Sequence, residues 1–261
     1  MTGCSCAQDR KPRLVLGVPV DPLTTQEALQ RLDRFLNCPA THVVHHLAAD
    51  PIVRSTTDSG FADALNRSDA NLPDGAGVVW ALRALGVSSI RDRVYGPDMM
   101  RKVLAGAAGA GAKHAFVGAT AEVVEALASM VPPEQRGGSY APPHRQVTPE
   151  AVQEDLLRLS AASDILWVGL GTPKQQQWAD LAVRFRPARV IVTVGAAFDF
   201  LTGSKPQAPA WMAEHGLEWL FRLATEPRRL WRRYLIGIPR FIFGVLAQAL
   251  RERRSEAVHH G

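Results

Sequence analysis

The apolar positions of this chain fall into two alternating rhythms. Compact, largely β-branched runs at Leu14 to Val18, His42 to Leu47, Lys113 to Val117, Ile165 to Val168 and Arg189 to Val194 read as buried strands. Between them, apolar residues recur every three or four positions. Ala28, Leu29, Leu32, Phe35 and Leu36 follow a capping threonine at Thr24 or Thr25. Helical spacing returns over Pro51 to Leu65, from about Val78, over Ala121 to Met130, over Lys174 to Phe185, and near Pro209. Ala70 to Pro73 leads into a Pro-Asp-Gly turn, whereas Pro132, Pro133, Gly137, Gly138, Pro142 and Pro143 read as a loop within the body. Strands separated by helices of ten or more residues predict an α/β fold, a Rossmann-like parallel sheet with helices on both faces.

Charge adds a boundary that hydropathy alone does not draw. The 261 residues carry 30 Lys and Arg against 25 Asp and Glu, a net +5. Arg222 to Arg254 holds nine arginines and two glutamates, a local +7, so the remainder is −2. The chain therefore divides into a mobile leader over 1–12, a Rossmann-like domain over 13–205, an Arg-rich helical appendage over 206–254 and a disordered tail over 255–261. In the appendage Trp231, Tyr234, Leu235, Ile238, Phe241, Ile242, Phe243 and Leu246 interleave with Arg228, Arg229, Arg232, Arg233 and Arg240. That mixture suits a segment lying in the headgroup layer of an anionic membrane, or a helix packed on its own body or on another subunit. Leu235 to Leu250, sixteen residues broken by Pro239, Arg240 and Gln248, is shorter than the roughly 20 apolar residues of a spanning helix.

With 46% apolar and 21% charged residues, the composition excludes disordered, collagenous and disulfide-scaffold chains. Cys4, Cys6 and Cys38 have neither zinc-ligand nor disulfide-framework spacing, so reduced thiols are expected. The first residues contain no apolar run of the kind a secretory signal needs.

In a parallel sheet, ligands sit outside the carboxyl ends of the strands. Four such junctions carry candidate chemistry: His45 to Asp50, Leu72 to Gly77, Val168 to Trp178 and Val194 to Phe200. Gly169, Gly171 and Pro173 let a ligand approach the backbone, and the helix that follows offers N–H groups and a positive dipole end to a diphosphate. The same glycines also suit a plain tight turn. Asp74, between Pro73 and Gly75, is placed to accept a proton or to cap a helix. Asp199, between two phenylalanines, is placed where an apolar setting would raise a carboxyl pKa, or to cap the next helix. His45 and His46 point to opposite faces of their strand and have no metal-site spacing. No Asp-x-Asp occurs in the chain, which favours arginine over a divalent metal as the cation for a diphosphate.

These segments together resemble the WecG/TagA/CpsF family of bacterial glycosyltransferases. The matching pieces are LPDGAGVVWALRALG, RVYGPDMM, HAFVGAT, DILWVGLGTPKQQQW, the long block from VGAAFDFLTGSKPQAPAWMAEHGLEWLFRLATEPRRLWRRYL, and IPRFI, spanning about Leu16 to Phe243. The resemblance implies a metal-independent, inverting transferase without cofactor. It would move a sugar from a UDP-sugar to a polyprenyl-diphosphate-linked saccharide in cell-surface or exopolysaccharide synthesis. It assigns the general base to Asp74, with Arg93 and Gln175 as further catalytic residues. Donor and acceptor contacts are expected at His45, His46, Gly75, Gly169, Gly171, Pro173, Lys174, Gly195, Phe198 and Asp199. Diphosphate or membrane contacts are expected at Arg222, Arg228, Arg229, Arg232 and Arg233. The implied location is the cytoplasm, peripheral to the inner face of the plasma membrane, with homo-oligomerisation left open. Two departures stand out. The family's Thr-x-Asn after its second strand is replaced within His45-His46-Leu47-Ala48, and Gln176 follows Gln175 where the family has Glu.

Two other classes share parts of this pattern. A nicotinamide-dependent oxidoreductase would use the same sheet, but the third glycine of its fingerprint is missing after Gly171. A nucleic-acid-binding protein would use the basic tail, but the aliphatic residues interleaved there and the slightly acidic body argue against one.

Overall fold

A computed structural model describes residues 11–159, 162–209, 211–212 and 217–259. Most of the expected leader, and most of the helix expected near Pro209, lie outside the described residues. The chain opens with an antiparallel hairpin of β1 (Arg13–Val15) and β2 (Val18–Val20), where a single strand is expected. Leu16 and Gly17 take φ of 50° and 86°, the geometry of a two-residue hairpin turn.

Six parallel strands then build one sheet. They are β3 (His42–Leu47), β4 (Ala70–Pro73), β5 (His114–Gly118), β6 (Arg136–Tyr140), β7 (Ile165–Gly169) and β8 (Val190–Thr193), in the spatial order β4-β3-β8-β7-β5-β6. β3, β4, β5 and β8 are buried along their whole length, as helices on both faces require. α1 (Thr25–Leu36), α5 (Gly96–Leu104), α6 (Ala121–Ser129) and α9 (Ala197–Leu201) cover one face. α7 (Pro149–Arg158) and α8 (Lys174–Ala182) cover the other. Thr24 starts α1 through a reciprocal capping box with Glu27, and Ala28, Leu32 and Phe35 bury its inner stripe.

β6, α5 and α7 are additions to the expected elements. The Pro- and Gly-rich stretch expected as a loop contains edge strand β6, because its glycines permit close backbone approach. A Cβ at Gly138 would lie 1.8 Å from the Leu159 carbonyl oxygen, and one at Gly137 would lie 2.8 Å from that of His114. Cys38 is buried and disulfide-bonded, which corrects the expectation of reduced thiols at that residue.

β5 is followed by a crossover to β6 on one side of the sheet, and β7 by a crossover to β8 on the other. Chain connections that diverge in this way open a crevice at the carboxyl ends of β5 and β7. Beyond β4, the hairpin, α2 (Ala49–Ser55), α3 (Ser59–Asn66) and α4 (Ala76–Ala84) form a third apolar cluster with the C-terminal helix.

The appendage is helical: α10 (Glu218–Thr225), α11 (Pro227–Arg232), a π-helical turn over Arg233–Gly237, and α12 (Ile238–His259). The tail expected to be disordered from 255 is therefore helical through His259. Phe241 and Val245 of α12 are buried in the third cluster, and Gln248 exchanges hydrogen bonds with the Leu16 N–H and the Leu14 carbonyl of the hairpin turn. Its outer side exposes Ile242, Phe243, Leu246 and Leu250. Leu230–Ser255 is a helical run long and apolar enough to cross a membrane by length and composition, longer than the sixteen residues that hydropathy marks out.

Candidate active site

The four junctions selected from sequence follow β4, β3, β8 and β7, which are consecutive in the sheet. Their residues thus share one edge. At β4, the Asp74 N–H donates to the Leu47 carbonyl at 2.9 Å and continues the strand pairing. The segment from Arg93 to Gly96 runs alongside, because Val94 N–H donates to the Pro73 carbonyl at 2.8 Å. Gly96 N–H then donates to Asp74 Oδ1 at 2.7 Å. Asp74 is therefore an N-terminal acceptor for α5, where the helix dipole favours its charge. Among the described residues, no hydrogen bond engages its second oxygen.

His46, at the end of β3, is buried, and its Nδ1 lies 3.2 Å from the Thr193 carbonyl oxygen. A carbonyl only accepts, so Nδ1 carries the proton and Nε2 is left as an acceptor. Nε2 is buried without a hydrogen-bond partner among the described residues. Burial holds the His46 pKa below the ordinary histidine value, against the opposing pull of Asp74 and of the Thr193 hydrogen bond. His45 points to the other face, where its Nδ1 lies 3.0 Å from Thr193 Oγ1.

The next two junctions are tied together. Gln175, in the first turn of α8 and buried, accepts the Gly195 N–H on Oε1 at 3.1 Å. Gly195 has φ of 58° and Gly171 has φ of 76°, conformations that glycine adopts without strain. Gly169 leaves room for the Phe198 ring, which would lie 2.7 Å from a Cβ there. Phe198 is itself buried, edge-on to Phe116 at 6.0 Å, so it supports the turn from within the core. Gly75 is the N-cap residue of α4. Lys174 departs from the expected cluster: its Nζ donates to the Arg145 carbonyl at 3.1 Å and lies 3.2 Å from His144 Nε2, in the loop after β6. Asp199 accepts from Lys205 Nζ at 2.6 Å.

The appendage reaches this edge through one face of α10. Glu218 and Arg222 are spaced by four and so align along that helix, and Glu226 is its C-cap residue. Glu218 Oε2 lies 2.7 Å from an Arg93 terminal nitrogen, and its Oε1 accepts from the Tyr95 hydroxyl at 3.2 Å. The Arg93 guanidinium also stacks over the Tyr95 ring at 4.1 Å. Arg222 stands over the Phe200 ring at 5.6 Å, and Glu226 lies 3.8 Å from Lys205. Burial works against the Arg93 charge, yet Glu218 and Asp74 outweigh it and hold its pKa above the ordinary value. Burial, with Glu218 and Asp74, pushes the Tyr95 hydroxyl pKa up.

The remaining arginines lie further along. Arg228 is exposed, Arg232 stands over Trp231 at 5.2 Å and Arg233 over Tyr234 at 5.7 Å. The Arg229 side chain lies outside the described residues. Among the described residues, no group of three or more His, Cys, Asp or Glu is placed to hold a metal ion. Sequence reasoning missed Glu218, Tyr95, Gly96 and Thr193. The four-residue spacing from Glu218 to Arg222 was the available signal for the first of these.

The profile of the Glycosyl transferase WecG/TagA/CpsF family matches residues 13–255. Three relatives share the name N-acetylglucosaminyldiphosphoundecaprenol N-acetyl-beta-D-mannosaminyltransferase. The one from Bacillus subtilis (strain 168) is 31% identical over 195 residues, 73% of this chain and 73% of its own. That from Bacillus spizizenii is 30% identical over 207 residues, covering 77% and 76%. That from Staphylococcus aureus (strain NCTC 8325 / PS 47) is 27% identical over 241 residues, covering 91% and 93%.

Proposed function

Because the chain belongs to the WecG/TagA/CpsF family of glycosyltransferases, we propose that it transfers an N-acetylmannosamine-, uronic acid- or hexose-type sugar from a UDP-sugar to a polyprenyl-diphosphate-linked saccharide. The relatives' shared name, which joins a diphosphate-linked lipid acceptor to mannosaminyl transfer, favours the first of these sugars. The observation that carries the reading is the placement of Asp74. Its carboxylate stands at the end of β4 with one oxygen on Gly96 N–H, on the same sheet edge as the Gly169–Gln175 and Gly195–Asp199 turns.

In this reading UDP lies across those two turns. Asp74 takes the proton of the acceptor hydroxyl, whose oxygen bonds to the anomeric carbon. The bond from that carbon to UDP breaks, and its electrons leave on the β-phosphate. A single displacement inverts the anomeric centre. Arg93 and the arginines at 222, 228 and 232 offset the departing charge, and a positioned donor of this kind is worth about 3 kcal/mol in the transition state. Metal independence rests on this arginine supply and on the lack of Asp-x-Asp in the sequence. The exposed apolar and basic side of the appendage would bring the site to lipid-linked acceptor at an anionic membrane surface.

The test is transfer from a panel of UDP-sugars to a synthetic polyprenyl-diphosphate-N-acetylglucosamine, with Asp74→Asn beside the unaltered enzyme. Asparagine keeps an oxygen for Gly96 N–H, so the fold should persist while turnover falls by about 10² or more. Undiminished turnover removes Asp74 as the base.

A further inference from the structure

We propose that Glu218 is a positioning residue. Through Arg93 and Tyr95 it makes the docked state of α10 a condition for the working geometry of the Asp74 site. The inference rests on the transferase reading above but concerns a residue to which that reading assigns no role.

Three observations converge. First, Glu218 Oε2 forms an ion pair with Arg93 at 2.7 Å without a hydrogen bond among the described residues, Oε1 accepts from the Tyr95 hydroxyl at 3.2 Å, and the side chain is only 14% exposed. Second, both partners belong to the short segment that also supplies Val94 N–H to Pro73 and Gly96 N–H to Asp74. Displacing Arg93 or Tyr95 therefore pulls on the backbone that fixes the carboxylate. Third, a terminal nitrogen of Arg93 faces Glu218 Oε2 at 2.7 Å, while Tyr95 supports one guanidinium face. A guanidinium has five N–H donors, so a contact at one nitrogen and stacking on one face leave donors for a leaving phosphate.

Electrostatics point the same way. Glu218 offsets the cost of burying the Arg93 charge, so the arginine remains in the site without substrate rather than turning out to solvent. Further along, Arg222 stands over Phe200, and Glu226, at the C-cap of α10, lies 3.8 Å from Lys205. Docking of one helix thus touches the segments that follow both β4 and β8.

The experiment compares Glu218→Gln, Glu218→Asp and Tyr95→Phe in the full-length protein by transfer kinetics and by backbone amide hydrogen exchange. Glu218→Gln is expected to lower kcat at least about tenfold, with the donor KM changed less than about threefold, because Arg93 acts mainly on the departing charge. Amide exchange should quicken over residues 218–225 and 93–96 and stay unchanged in the central strands. Glu218→Asp should recover part of kcat, and Tyr95→Phe should show a smaller loss of the same kind. Unchanged kcat and exchange in Glu218→Gln overturns the proposal. So does faster exchange throughout the sheet with no recovery in Glu218→Asp, since the residue would then serve folding alone. If the unaltered enzyme transfers no sugar from any UDP donor, the transferase reading fails, while exchange at 93–96 still decides whether Glu218 holds that segment.

Discussion

Gln175 Oε1 accepts the Gly195 N–H at 3.1 Å, a bond that joins the turn after β7 to the turn after β8 across twenty positions of sequence. The two turns expected to share the donor nucleotide are thereby one mechanical unit. Gln175→Ala removes the only acceptor that the described residues give this N–H. The loss should cost about 1–3 kcal/mol of stability and raise the donor KM. Gln175→Glu keeps an acceptor there but adds a buried negative charge beside the proposed diphosphate site. Its donor KM should rise further, for a similar loss of stability. Thermal unfolding and donor titration of the two variants separate these effects, and an unchanged KM in both would show that the turns do not carry the donor.

Acid should destabilise the fold before it protonates most carboxylates. Trp167 Nε1–H donates to His114 Nδ1 at 3.1 Å inside the sheet, which requires a neutral imidazole. Burial pushes the His114 pKa down to about 4, with Asp164 opposing. The unfolded chain takes up this proton near pH 6.5 and the folded one does not, so stability is full above that pH and declines between about 6.5 and 4. His46, lowered by burial, adds in the same direction. The contribution of His114 is on the order of 3 kcal/mol across the window. Denaturant unfolding measured from pH 7.5 to 4 checks this, and the slope should shrink in His114→Gln.

Much of this architecture was legible from apolar rhythm because parallel strands buried on both faces are continuous β-branched runs. His42 to Leu47 matches its observed bounds for that reason. β6 was illegible because its sequence, Arg-Gly-Gly-Ser-Tyr, answers to a steric demand and not to hydropathy. Asp74 stood out because Pro and Gly mark a strand-to-helix turn, and Gln175 through the family resemblance. Their partners did not, since Gly96 acts through its backbone and Glu218 lies 144 positions from Asp74 on a helix whose outer charges look like an ordinary solvated face.

Gly138→Ala tests that steric account. The added methyl would lie 1.8 Å from the Leu159 carbonyl oxygen, so β6 or the end of α7 must shift. A loss above about 2 kcal/mol is expected on unfolding, with little change in activity, because the edge strand is remote from β4 and β3 in the sheet. A variant as stable as the unaltered chain would show that the strand is not held so closely.

Phe241 and Phe243 lie two positions apart on α12 and face opposite ways, at 1% and 72% exposure. Phe241 packs into the cluster with Val78 and Ile52, so Phe241→Ala should destabilise the protein by about 3–5 kcal/mol. Phe243 is absent from that cluster, and with Leu250, at 57% exposure, it belongs to the exposed apolar positions of an appendage in which Arg228, Arg232, Arg251, Arg253 and Arg254 are exposed too. Replacing Phe243 and Leu250 together by glutamate should leave stability within about 0.5 kcal/mol while cutting co-sedimentation with anionic phospholipid vesicles. If the helix lies in the headgroup layer, binding by the unaltered protein should also weaken as salt screens the arginines. A helix that crossed the bilayer would instead resist release by salt. Full sedimentation of the double glutamate variant would mean that these positions are not what meets lipid.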